Sequence, residues 1–457
     1  MSSTTAPGST GPSLRRVLGV PALVLFGLVY MVPLTVFTTY GLVTQITGGR
    51  VPAAYLITLA VMAFTALSYA RMVRAFPYAG SAYTYTQKSF GPGLGFMAGW
   101  SLLLDYLFLP TINYLLIGIY LSAAIPAVPP WVFILAAIAL VTALNIVGIV
   151  SVTRANFAII AAQGLFIVVF LALGLGSLSG HVDLLAPFTG DGTVAENAAL
   201  FTGAAVLCLS FLGFDAVSAL AEEAKDARRD VPRAIVIATI SAGLLYVLLS
   251  YVAQLVFPSN EFTDVDSGAL DVMLAAGGQL LATLFTAAYI AGCLGSAVAS
   301  KASVSRILFS MGRDGVLPTR VFGRLWARFA TPVGAILVVA AVSLMAVVVD
   351  LALIAEMISF GALAAFSAVN LSVVKHYYID QRRREGVRDT VVYLVLPGTG
   401  FLLTVWLWTS LAPFTLLIGL TWMAAGLAYL AWVTRGFRRS APTLDLTEDA
   451  EPADRGR

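Results

Sequence analysis

The chain is poor in the residues that soluble proteins use to meet water: Asp, Glu, Lys and Arg make up 11% of its 457 residues, against 59% hydrophobic. A soluble chain carries roughly 25% charge, so the surface of a soluble domain cannot be assembled and most outward-facing residues must meet lipid. Cysteine is almost missing. Cys208 and Cys293 both sit in apolar runs, which excludes a disulfide framework and a Cys-rich metal site. The two histidines, His181 and His376, are far apart, which argues against a His-rich metal centre. Of four lysines none follows a glycine, so no phosphate-binding Gly-Lys-Ser/Thr loop, and no ATPase of that kind, is present. The Gly91, Gly93, Gly95 cluster follows no strand and reads as the tight start of an apolar run. No long polar segment remains for a second activity. An enzyme, a cofactor, a bound metal and a nucleic-acid partner are all unexpected.

What is present is a succession of apolar runs. Runs of about 20 residues suffice to cross ~30 Å of hydrocarbon as helices, and twelve occur. Spans 1 to 6 cover 18–42, 53–75, 93–124, 131–150, 155–178 and 197–220. Spans 7 to 12 cover 233–257, 272–300, 332–350, 354–375, 390–409 and 412–433. The first run is too long for a removable signal peptide and a second follows at once. Residues 1–14, rich in Ser, Thr, Gly and Pro, and the acidic tail 440–457 read as disordered ends.

Orientation follows from Lys and Arg, which gather on cytoplasmic loops. With both termini inside, 26 of 27 basic residues are cytoplasmic, Lys301 among them, and only Arg50 lies outside. The net charge of +3 thus reflects topology. Outer loops carry Asp183, Asp191, Glu196, Glu261, Asp264 and Asp266, which either form a cation-attracting vestibule or simply solvate the loops.

The residues that break membrane patterning carry the chemistry. Asp105 stands in the middle of span 3 and Asp215 inside span 6. A mid-membrane carboxylate costs ~2.5 to 3.5 kcal/mol on insertion scales and usually faces a cavity or a partner. With no cationic side chain expected at that depth, the partner is a proton, a bound cation or a cationic substrate. The alternative is an acid satisfied by hydroxyls or helix ends. Two spans also look broken. Pro33 removes an N–H from the span 1 ladder between Gly27 and Gly41. In span 6, Gly203 and Gly213 flank Ser210-Phe211-Leu212. Breaks at matching places of two inverted five-helix halves mark the binding site in many transporters, since freed carbonyls and half-helix dipoles meet charged ligands there.

These residues resemble the amino acid, polyamine and organocation transporter superfamily over nearly the whole membrane region. The markers are Phe76-Pro77-Tyr78-Ala79-Gly80-Ser81-Ala82-Tyr83, Ser210 to Asp215, Glu222-Glu223 leading to Val231-Pro232-Arg233, and Ser305-Arg306 leading to Met311-Gly312-Arg313-Asp314-Gly315-Val316-Leu317-Pro318. Gly27-Leu28-Val29-Tyr30, Thr35-Val36-Phe37 and Leu104 to Pro110 are most similar to the bacterial putrescine importers.

The resemblance implies an all-α membrane fold of twelve transmembrane helices with a leucine-transporter-like five-plus-five inverted repeat, helices 1 and 6 being broken. Residues 15–178 would form the first repeat, 197–376 the second, and 390–433 two further helices. It also implies alternating access in a bacterial plasma membrane. Amino acid carriers of the family often receive a carboxylate on a Gly-Ser-Gly break in span 1. Here Pro33, Leu34 and Thr35 occupy those positions, a poor carboxylate cradle, whereas Asp215 and Asp105 suit ammonium groups. Tyr106 falls where the polyamine importers place a contacting aromatic, and a cation–π contact there is worth ~0.5 to 2 kcal/mol. Tyr30, Thr38 and the Ser210–Gly213 break complete the expected site, with Glu222 and Glu223 pairing at a cytoplasmic gate. A coupling lysine known in span 5 of some relatives corresponds to Gln163, and an acid of the putrescine importers to Thr38, which leaves an amino acid or a monoamine as the alternative cargo. A dication moved inward through 100 mV gains ~4.6 kcal/mol, a little over three decades of accumulation, so uptake needs no further ion. Proton coupling stays open, as does the oligomeric state.

Overall fold

The computed structural model describes residues 17–77, 81–148, 153–178, 183–189, 193–221, 223–313, 317–326, 328–329, 331–436 and 438, with 153–158 as backbone only. The terminal stretches 1–14 and 440–457, Glu222, His181, Asp191 and Asp314 to Val316 lie outside the described residues. Within them the secondary structure is helical, apart from two isolated backbone bridges.

Eleven described helices are long and apolar enough to cross a membrane, and they fall on the expected runs. Spans 2 to 5 occupy Val51–Ala75, Pro92–Ala124, Pro130–Val147 and Thr153–Ser177. Span 7 is Asp230–Val256 and span 10 begins at Leu351, ending at Asp380. Spans 11 and 12 run over Val387–Thr409 and Pro413–Val433. The ninth expected span is shorter than a crossing helix: Val333–Ser343 tightens into a 3₁₀ turn at Leu344–Val347. Pro332 precedes it, and Asp350, whose carboxylate accepts from Leu353 N at 2.7 Å, starts the next helix. The expected twelve thus resolve into eleven long helices and one short apolar one.

The broken spans are broken where the sequence placed the irregularities. Span 1 is helical over Val20–Tyr30, 3₁₀ over Pro33–Phe37 and helical again over Tyr40–Thr47. Val32 is forced to φ 47°, a conformation that β-branched residues rarely adopt. Span 6 is helical over Val194–Val206, 3₁₀ over Leu207–Phe211, extended at Leu212, and 3₁₀ again over Asp215–Leu220.

Two features depart from expectation. Ala82–Phe90, which fell between the expected spans 2 and 3, is a helix packed on spans 3 and 10, with Tyr83, Tyr85 and Thr86 buried. Span 8, expected to end near residue 300, continues to Arg313 after a kink at Gly277 and Gly278. Lys301 is therefore not on a cytoplasmic loop. It is fully buried inside the bundle, which corrects its assigned place.

The broken spans pack mainly on spans 2 and 7, and spans 3, 8 and 10 form a second tightly packed group. The start of span 1 is pinned to the end of span 6. Val17 N and Leu18 N donate to the Glu223 carbonyl, and Lys225 N donates to Leu18 O.

Candidate substrate site

The two breaks touch each other. Gly213 holds φ 122°, and a Cβ placed there would come within 2.4 Å of Tyr30 Cδ1 and 3.2 Å of Met31 N. Only a residue without a side chain lets the span 6 break approach the span 1 break this closely. The Met31 carbonyl, freed because Thr35 N donates to Val32 O instead, accepts from Thr35 Oγ1 at 3.1 Å and from the span 7 hydroxyl of Tyr246 at 3.0 Å. Those two bonds satisfy a buried carbonyl that the helix ladder has abandoned.

Beside the breaks lies a hollow of about 350 Å³. Span 1 contributes Tyr30, Thr35 and Thr38, span 3 Asn113, span 5 Gln163, span 6 Leu209 and Leu212, and span 8 Tyr289, Cys293 and Ser296. Thr38 and Tyr289 share a 2.6 Å hydroxyl–hydroxyl bond across it. Asn113 Nδ2 donates to Ser296 Oγ at 3.1 Å. Gln163 is buried with its Oε1 unpaired. The hollow runs from Thr38 and Tyr289 towards Phe26 and Ser303. Aromatic rings gather beside its Thr38 end. Phe37 meets Phe170 and Phe285 edge-on at 5.4 and 5.5 Å, and Tyr120 donates to the Phe37 carbonyl. Next to these rings the second half of span 1 is pressed against the segment before span 8, where a Cβ on Gly41 would sit 2.2 Å from Val265 O.

The acids occupy the space behind these walls. Asp105 is buried, with Oδ1 lacking a hydrogen-bond partner. Asp215 is half-buried at the start of the last turn of span 6, and its Oδ1 accepts from Gly213 N at 3.2 Å. The alternative reading of an acid satisfied by a helix end thus holds in part for Asp215. The two carboxylates and the rings of Tyr30, Tyr106 and Tyr69 lie within electrostatic reach of one another, and neither acid is in an ion pair among the described residues. Tyr30 belongs to both places: it lines the hollow and stands close to both acids.

Of the residues expected to bind substrate, Tyr30, Thr35 and Thr38 face the hollow. Asp105, Asp215, Tyr106 and Pro33 do not form its wall. Nor does Gly213, which seals the contact between the breaks, or Ser210, which is turned to Tyr55 OH at 2.9 Å. At Glu223, expected at a gate, the structure uses the backbone carbonyl, and the carboxylate is in no ion pair among the described residues. Arg50, expected on an outer loop, is buried and held by Glu196, through its carbonyl at 2.9 Å and its carboxylate at 4.0 Å. Glu196 is therefore not a free charge of a vestibule.

The sequence reading missed Asn113, Tyr289 and Ser296, whose only signal is a polar atom in an apolar run. It also missed Lys301. Its ammonium bonds Thr142 Oγ1 and stands 5.8 Å from the Tyr114 ring centroid. The small neighbours Ser300 and Ala302 were the available hint, because they let other helices close around the stem.

Membrane-crossing helices, two of them broken face to face beside an internal hollow, define a multi-pass permease. The chain belongs to the amino acid permease family, whose model matches residues 23–434. It is 41% identical over 452 residues to the low-affinity putrescine importer PlaP of Escherichia coli (strain K12), covering 97% of this chain and 99% of the relative. It is also 27% identical to the branched-chain amino acid permease BcaP of Bacillus subtilis (strain 168), over 91% of this chain and 92% of that one. To the vacuolar cationic amino acid transporter 4 of Arabidopsis thaliana it is 31% identical, over 81% and 64% respectively.

Proposed function

We propose that this protein is a secondary transporter that brings putrescine or a similar small diamine into a bacterial cell across the inner membrane, with both termini cytoplasmic. The observation that carries the reading is the pair of carboxylates, Asp105 and Asp215, brought from two spans beside the two broken helices with no ion-pair partner among the described residues. Buried charges are retained only when something compensates them, and a passing ammonium is the compensation proposed here. Near-full-length likeness to a putrescine importer supports the same cargo.

In the proposed cycle, the five-plus-five arrangement lets the pinned pair of spans 1 and 6 rock against spans 3 and 8, with protons as a candidate coupling ion. In the conformation described, Tyr30 separates the hollow from the acids, so substrate reaches them when Tyr30 turns aside. The membrane potential alone supplies enough driving force for a dication.

The second reading, an amino acid carrier, is favoured by the neutral walls of the hollow, where Asn113, Gln163, Thr35 and Thr38 offer hydrogen bonds and no charge. Radiolabelled putrescine uptake into proteoliposomes under an imposed potential, with leucine and arginine as competitors, separates the two. Asp215→Asn and Asp105→Asn are each expected to abolish saturable putrescine uptake while leaving insertion intact. Full transport by both variants, or no saturable putrescine uptake where labelled leucine or arginine is carried, overturns the diamine reading.

A further inference from the structure

A second concavity, away from the substrate path, lies where the arginine-rich ends of spans 2, 7 and 11 meet. It measures about 670 Å³ and gathers Arg71, Arg74, Arg233, Arg383 and Arg388 against a single acid, Asp389. Among the described residues none of the five arginines is in an ion pair. Arg71 is 9% exposed, and its Nη1 has no hydrogen-bond partner. Leaving a guanidinium N–H buried and unpaired is costly, and five like charges in one groove repel. Yet the groove is firmly built. Tyr377 OH donates to the Arg71 carbonyl at 3.1 Å, and Tyr377 stacks on Tyr393 at 4.7 Å. Arg383 lies over both rings and donates to Tyr393 OH at 3.1 Å.

We propose that this groove binds the phosphate headgroup of an anionic phospholipid. Guanidinium forks match phosphate oxygens geometrically, and basic pockets between transmembrane helices at the cytoplasmic interface are suited to such headgroups. The walls select a lipid over a soluble phosphate. Leu67, Val236, Ile237 and Val392 line the groove alongside the arginines. Ile237 and the neighbouring Val395 are 45% and 47% exposed on helices that run into the membrane. A headgroup held by the arginines would lay its acyl chains along that apolar surface.

The test uses the full-length protein, purified in detergent and stripped of lipid. It is titrated with phosphatidylglycerol, phosphatidylcholine or inorganic phosphate and read by native mass spectrometry and thermal unfolding. Phosphatidylglycerol is expected to bind and raise Tm, more weakly as salt is added, while the other two do neither. The exposed pair Arg233→Gln/Arg388→Gln is expected to weaken phosphatidylglycerol binding about thirtyfold, each arginine near the surface contributing comparably. Arg71→Gln should remove binding if it folds, and the exposed pair decides if it does not. Equal stabilisation by phosphatidylcholine, unchanged binding in the exposed pair, or a full shift with inorganic phosphate alone each overturns the proposal. No transported molecule is involved, so the outcome is independent of the cargo.

Discussion

Gly213 shows how much one missing side chain can decide. Its φ of 122° and its contact with Tyr30 mean that Gly213→Ala meets a steric clash and backbone strain of about 1 to 3 kcal/mol together. A lower Tm and impaired uptake are expected, whereas Gly176→Ala, in open space, should leave both nearly unchanged. Equal behaviour of the two variants in a thermal unfolding assay would show that the breaks do not need their close contact. Cys293 offers a chemical reporter at the same scale. It lines the hollow, while Cys208 is fully buried elsewhere. A methanethiosulfonate reagent should modify Cys293 and inhibit uptake, Cys293→Ala should resist, and saturating putrescine should slow the reaction. Modification at the same rate with and without putrescine would place the substrate path elsewhere.

Among the elements, span 8 departed furthest from its sequence reading, and Lys301 is the cause. A lysine with other basic residues close behind it looks like a helix end, yet here the helix runs on to Arg313. Among the described residues the ammonium keeps one hydroxyl partner and a ring face but no carboxylate. Removing an uncompensated buried charge in favour of an apolar side chain of similar shape is often neutral or stabilising. Lys301→Met should therefore keep Tm at or above that of the parent. A drop of several degrees would show that the Thr142 bond and the Tyr114 contact outweigh the cost of burial. Span 1 behaved oppositely: Pro33 removes a donor wherever the chain folds, so its break was legible at once. The helix Ala82–Phe90 was not, because nine residues with little apolar character acquire their stability only from the spans they rest on.

Across the whole molecule, the aromatic cluster around Phe37 and the segment before span 8, which carries Asp264 and Asp266, lie together on the Thr38 side of the hollow. Burial pushes the Asp266 carboxyl above its ordinary range, and the neighbouring charges of Asp264 and Asp350 add to this. A carboxyl whose pKa is raised on folding favours the protonated native form. Its penalty is absent below the ordinary carboxylate range and fully present once pH exceeds the raised value. The packing of this segment against span 1 should thus tighten as pH falls from neutral towards that range, and Asp266→Asn should flatten the response. Hydrogen exchange of the segment 257–268 at two pH values measures it, and greater protection at the higher pH would contradict the sign.

Composition alone determined that this chain lives in lipid, because no arrangement of so few charges can coat a soluble surface. Local chemistry determined nearly every helix and both breaks, since apolar length, proline and glycine act on the backbone irrespective of distant partners. Tertiary structure alone decided which polar side chains share a space. Asn113, Gln163 and Tyr289 meet around one hollow, Ser210 turns to Tyr55 instead, and Lys301 disappears into the bundle. Five arginines from separate helices and a connecting segment converge on one groove in the same way. Such meetings depend on packing between segments tens or hundreds of residues apart, and no local pattern in the chain encodes which face of one helix will lie against another.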